Sequence, residues 1–265
     1  MPKLRVGVPP ELYGRPLAWG FLKGHHGDLF TTSVHPQSVI AQLLDRGSLD
    51  VGLVSPLDLQ RFEGLSVLRD LCAAAHGPTG ILRLFSTRPA SEVRRVAVEH
   101  HARTSALLLR IYFLERFGVE VEVEPKRPVL GRMLVDHDAA LLTGDVALQA
   151  KADPGVEAID LAEEWRLLTD RPWVFALWAV RDGVELPDLP FYFKSSLRYG
   201  LSLMGSLVRE SAADLGLEVA EVERSLDGPM GYFLRDAEMA GIDEFFRRSA
   251  SLGLIDGPRP VSYLS

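Results

Sequence analysis

The residues best placed to do chemistry lie where apolar runs stop. Ala139-Ala140-Leu141-Leu142-Thr143 has the pattern of a short buried strand and breaks at Gly144-Asp145; in open α/β sheets, ligands gather beyond the carboxyl ends of the strands. Asp145 is a carboxylate able to take a proton or bind a substrate hydroxyl, and it is equally placed to cap the helix that Val146 to Lys151 predicts. Glu11, on the loop after the first strand, and His76, beside the turn Gly77-Pro78-Thr79-Gly80, are the other acid/base candidates. Arg103-Thr104-Ser105 opens a helix. There the two hydroxyls, the free N–H groups of a first turn and the helix dipole suit an anion, although the same residues also serve as a plain N-cap. Tyr13, Ser55 and Ser86 stand at further strand ends and complete the set that would line a ligand site.

Other chemistries find no support. There is no Gly-x-Ser-x-Gly, P-loop or Gly-x-Gly-x-x-Gly pattern, and no His-x-x-x-His or His-x-Glu spacing, so neither a metal nor a cofactor is expected. The single cysteine, Cys72, lies among Leu71, Ala73 and Ala74 and reads as a buried, inert thiol. With 29 Lys and Arg against 36 Asp and Glu the formal charge is −7. Nucleic-acid and membrane partners are therefore not expected, and an anionic ligand needs a local positive pocket. The opening MPKLRVGVPPE has no apolar core of a signal peptide and no run is long enough to span a bilayer, which implies a cytoplasmic protein.

The elements that must position these residues alternate. Leu4-Arg5-Val6-Gly7-Val8 reads as a strand, residues 38–49 as a helix, and Val51 to Val54 as a strand broken at Ser55. A second unit follows. It has strands at 81–86, 93–98 and 119–123, a helix from Thr104 to Gly118, a short helix at 133–137 and the strand 139–143. Pro172 to Val180 is the most apolar stretch and reads as a strand returning to the first lobe; helical patterns follow at 197–215, 218–226 and 239–253. The expected architecture is α/β and two-lobed, with residues 1–87 and 174–265 in one lobe, 88–173 in the other, and a helical C-terminal tail. Two chain crossings make a hinge, as in bacterial solute-binding proteins, whose lobes close on small ligands.

Several stretches, in order, resemble one family. They are Arg5-Val6-Gly7 with Pro16-Leu17, Asp50 to Ser55, Arg103-Thr104-Ser105, Asp138 to Leu148, Asp160 to Trp165, and Pro172 to Trp178. Together they are similar to the chorismate dehydratases of the futalosine route to menaquinone. The resemblance implies a type II periplasmic-binding-protein-like fold and the cofactor-free removal of water from chorismate, a small anionic substrate, to give 3-[(1-carboxyvinyl)oxy]benzoate. The chain departs from the family in the strand-one loop, where an asparagine is usual and Glu11-Leu12-Tyr13-Gly14 stands here. The sister 1,4-dihydroxy-6-naphthoate synthases carry a Thr-Pro-Cys-Pro-Asn-Asp loop that is absent. A non-catalytic solute-binding domain for an aromatic or dicarboxylate ligand is the competing class.

Overall fold

The computed structural model describes residues 2–264. The chain runs β1 (Leu4–Val8), α1 (Arg15–Leu22), β2 (Phe30–Val34), α2 (Gln37–Asp45), β3 (Val51–Val54), α3 (Pro56–Arg61) and β4 (Leu65–Ala75). It continues through β5 (Leu82–Ser86), β6 (Arg95–Glu99), α4 (Arg103–Phe117), β7 (Glu122–Lys126), α5 (Leu130–Met133), β8 (Ala139–Thr143), α6 (Asp145–Gln149), β9 (Glu157–Asp160) and α7 (Leu161–Thr169). Then come β10 (Trp173–Arg181), α8 (Leu189–Ser202), α9 (Met204–Leu215), α10 (Val219–Leu226), β11 (Met230–Gly231), α11 (Asp236–Ser251) and β12 (Ser262–Leu264).

The chain divides into two compact units, residues 1–74, 174–239 and 259–265 in the first, and 75–173 with 240–258 in the second. The first crossing lies at 74/75, ahead of β5, and the return lies at 173/174. β5 pairs antiparallel with both β8 and β9 and so lies inside the second sheet. The last helix is likewise divided, because Phe245 packs edge-on against Trp165 and Trp173.

In the first unit the sheet order is β11-β4-β10-β3-β1-β2, with β12 also on β4. β1, β2 and β3 are parallel and β10 runs against β3. Every residue of β3 is buried, as expected of a strand covered on both faces. Small residues set how closely the helices approach. A Cβ on Gly52 would stand 2.3 Å from Ile40 Cγ2, and one on Gly200 would stand 2.3 Å from the Pro16 carbonyl oxygen. Between α1 and α8, the fully buried Ser196 hydroxyl donates to Leu17 O at 2.8 Å and accepts the Gly20 N–H at 3.1 Å.

At the amino ends of these strands sits one buried carboxylate. Asp50 accepts from the Arg5 N–H and Nε at 2.9 Å, Arg5 Nη2 at 2.7 Å and Arg181 Nη2 at 3.0 Å, joining β1, β3 and β10. Burial alone would raise its pKa, but the Arg5 and Arg181 hydrogen bonds outweigh this and bring it down to about 2.

The second unit has the order β7-β6-β8-β5-β9, with β6, β7 and β8 parallel. One face packs Phe85, Ala97, Met133, Ala140, Leu142 and Ala147 together. The strand expected at 119–123 is displaced to 122–126, where register with β6 pairs Glu122 with Arg95. The short helix expected at 133–137 ends at Met133.

The depressed Asp50 pKa has a consequence with a definite sign. A carboxylate whose folded pKa lies below its unfolded value stabilises the fold above the unfolded pKa and loses that contribution as pH falls. Asp50→Asn is therefore expected to lower stability at pH 7 by about 2 kcal/mol. The difference from wild type should shrink between about pH 4 and pH 2, as read by denaturant unfolding across that range.

Candidate functional site

In the first unit the carboxyl ends of the parallel strands carry three of the expected residues. After β1, Pro9 and Pro10 stop the strand, and Leu12–Gly14 forms a 3-10 turn with Glu11 as its N-cap. Tyr13 is 7% exposed and lies stacked on Phe175, with ring centroids 5.3 Å apart and planes at 21°. Phe175 belongs to β10, whose reversed direction brings its first residues to this edge; its carbonyl accepts from Gln37 Nε2 at 3.1 Å. Ser55 ends β3 and caps α3: its N–H and hydroxyl donate to Asp58 Oδ2 at 3.2 and 2.7 Å, in a capping box.

In the second unit one edge of the sheet gathers most of the remainder. The ends of β6, β8 and β9 and the start of β5 meet there, since Leu82 pairs with Thr143 and Arg83 with Asp160. Asp160 organises this edge. Its Oδ2 accepts from the Thr79 and Gly80 N–H groups at 2.9 and 2.7 Å, and its Oδ1 from Ala162 and Glu163 at 2.9 and 3.3 Å, where it caps α7. Burial raises the Asp160 pKa; the four backbone N–H groups oppose that rise without cancelling it. The Gly144 N–H donates to Ile81 O at 2.8 Å, tying the end of β8 to the same turn. Gly144 adopts φ 64°, a left-handed backbone that favours glycine, and is the N-cap of α6, with Asp145 its first residue.

The first turn of α4 stands at the end of β6. Its N-cap is Ala102, so Thr104 and Ser105 are the second and third helical residues rather than the cap. Thr104 is buried and Arg103 exposed. The preceding His100 and His101 rings lie tilted against each other, with centroids 3.9 Å apart and planes at 46°. Burial, together with His100 and Arg103, holds His101 below the usual histidine range against the opposing pull of Glu99.

One expected residue does not join this edge. Ser86 lies at the opposite end of the sheet, paired with Ala139, because β5 is antiparallel to β8; its hydroxyl donates to Arg88 O at 2.6 Å. His76 is an exposed residue just past β4. Glu99, Thr143, Asp160 and Phe175 were not foreseen. An acid ending the apolar run Val96-Ala97-Val98 is the signal that points to Glu99. Its Oε2 accepts from the Thr143 N–H at 3.3 Å and hydroxyl at 2.8 Å. Cys72 is fully buried, and burial, with the nearby Glu238 charge, pushes its thiol pKa well up, the state of an unreactive core cysteine. Among the described residues no group of three or more His, Cys, Asp or Glu is placed to hold a metal, and no helix is long and apolar enough to cross a membrane.

The family model described as menaquinone biosynthesis matches residues 4–251. The chain belongs to the menaquinone biosynthesis family. A family relative, the chorismate dehydratase of Thermus thermophilus, is 27% identical over 235 residues, spanning 82% of this chain and 84% of its own. Among solved structures, a protein of Archaeoglobus fulgidus superposes with a TM-score of 0.73 at 16% identity, covering 96% of this chain and 98% of its own. The periplasmic aliphatic sulphonate binding protein of Escherichia coli superposes at 0.69 with 14% identity, covering 100% and 94%. The fold of this menaquinone biosynthesis family member is thus periplasmic-binding-protein-like.

Removing the Asp160 carboxylate leaves four N–H groups without their acceptor. Asp160→Ala is expected to destabilise by about 2–4 kcal/mol. Amide hydrogen exchange at Thr79 and Gly80 should rise with it. A loss under about 1 kcal/mol would show that the turn holds itself without the carboxylate.

Proposed function

We propose that the chain is a chorismate dehydratase, a hydro-lyase that converts chorismate to 3-[(1-carboxyvinyl)oxy]benzoate and water. The observation that carries the reading is the match to the Thermus chorismate dehydratase across 82% of the chain, within a family match from residue 4 to 251. The reaction is redox-neutral. The enol ether stays on its ring carbon, the hydroxyl of the neighbouring carbon leaves, and the hydrogen on the ether-bearing carbon departs as a proton. The ring becomes aromatic, which supplies the driving force, so the protein's task is positioning and electrostatics.

Chorismate carries two carboxylates. In the second unit, Thr104 and Ser105 lie in the first turn of a 15-residue helix, where hydroxyls and dipole favour an anion. This is the proposed carboxylate site, with Arg103 beside it and Gly144 at the neighbouring strand end. In the first unit, Ser55 and Tyr13 are the proposed substrate-binding residues. Asp145, Glu11 and His76 are the proposed acid/base groups among the side chains, and a carboxylate of the substrate is itself a competent base for the ring proton.

The test is spectroscopic. Purified protein should change the ultraviolet spectrum of chorismate and release the benzoate, with no nucleotide, flavin or metal added. An unchanged spectrum with a folded protein makes the chain a binder rather than an enzyme. Activity lost on chelation and restored by a metal would overturn the cofactor-free part.

Thr104→Val should weaken substrate binding by about 1.5–3 kcal/mol while changing stability by less. A lower Tm with an unmoved KM would reduce Thr104 to a structural hydroxyl. Tyr13→Phe keeps the stack on Phe175 and removes only the phenol hydroxyl. Turnover is expected to fall by about tenfold to a hundredfold, and a wild-type rate would confine Tyr13 to packing.

A further inference from the structure

The end of β8 holds a hydroxyl whose hydrogen is already used. Thr143 directs both its N–H and its Oγ–H onto a single oxygen of Glu99, at 3.3 and 2.8 Å. A carboxylate only accepts, so the shared oxygen fixes the direction of both bonds. With its one hydrogen committed, the Thr143 hydroxyl has only lone pairs to offer any other group. It is half-buried, and it stands next to Gly144, at the strand end level with the first residue of β5.

Such an oxygen discriminates. It welcomes a donor, a hydroxyl or an N–H, and repels a carboxylate, whose lone pairs would face its own and the Glu99 charge behind it. Thr104 and Ser105 stand in a different situation, in the first turn of α4 at the positive end of its dipole. The edge therefore carries two polarities, one for an anion and one for a donor.

We infer that Thr143, its hydrogen held by Glu99, is a specificity-determining residue that accepts a hydrogen bond from the ring hydroxyl of the substrate. The inference rests on the chorismate dehydratase reading, in which the ring hydroxyl is the one uncharged donor on the substrate and the group that the product lacks. It orients the ring before elimination and releases its hold once water has gone.

Substrate and product differ in that hydroxyl, so the pair is its own control. The experiment measures kcat/KM for chorismate, and the inhibition constant of added 3-[(1-carboxyvinyl)oxy]benzoate, for wild type, Thr143→Val and Thr143→Ser. Thr143→Val is expected to lower kcat/KM about tenfold while the product's inhibition constant stays within about twofold, and Thr143→Ser to recover most of the loss. Equal weakening toward substrate and product overturns the inference and makes the hydroxyl a structural prop of the edge. An unchanged kcat/KM overturns it as well. A wild-type protein that does not turn over chorismate removes the proposed activity, and this inference with it; an active wild type with an indifferent Thr143→Val removes the inference alone.

Discussion

One buried carboxylate organises the edge of the second unit on which the candidate chemistry depends. Asp160 takes two N–H groups from the Thr79-Gly80 turn and two from the start of α7, so each oxygen serves a different segment. Burying a charge is unfavourable unless hydrogen bonds replace its water, and four backbone donors do much of that here. The geometry follows in steps. The fixed turn presents Ile81 O, which holds the Gly144 N–H, and Gly144 sets the exit of β8 beside Thr143 and Asp145. A charge that is awkward to bury becomes a means of holding a loop still without a covalent link.

The first unit solves the same problem differently. Its strand ends are stiffened by prolines after β1 and at the start of α3, by the capping box of Ser55 and Asp58, and by the stack of Tyr13 on Phe175. Proline fixes φ and removes a donor that would otherwise need a partner, so these ends lose little entropy on ordering. Behind them, close helix contacts at Gly20, Gly52 and Gly200 leave the sheet little room to shift.

Much of the fold was legible. The runs at β1, β3, β8 and β10 are apolar and bounded by breakers, and these strands appear near where the pattern places them. β2 was missed because Phe30-Thr31-Thr32-Ser33-Val34 is polar and half-exposed, with no apolar alternation to betray it. The direction of β5 was not legible at all, since a run such as Leu82 to Ser86 specifies a strand but not which neighbour it meets or how. That one reversal moves Ser86 to the far end of the sheet. At the candidate site, Asp160 takes one pair of donors from the α7 turn it precedes, but its second pair lies 80 residues earlier in the chain and only folding joins them. Glu99 and Thr143 are likewise 44 residues apart. Residue types and strand ends can be read locally; the pairings that give them a polarity cannot.

The Asp50 cluster and the candidate site occupy opposite ends of parallel strands. Asp50 ties Arg5 and Arg181 at the amino ends of β1 and β3, whereas Tyr13 and Ser55 follow their carboxyl ends. Four or five residues of strand, about 13–17 Å, separate the two. Changes at one end therefore couple weakly to the other. Such a layout lets descent run at two speeds. The charged anchor at one end is free to persist while the loops at the other are rewritten for a new ligand.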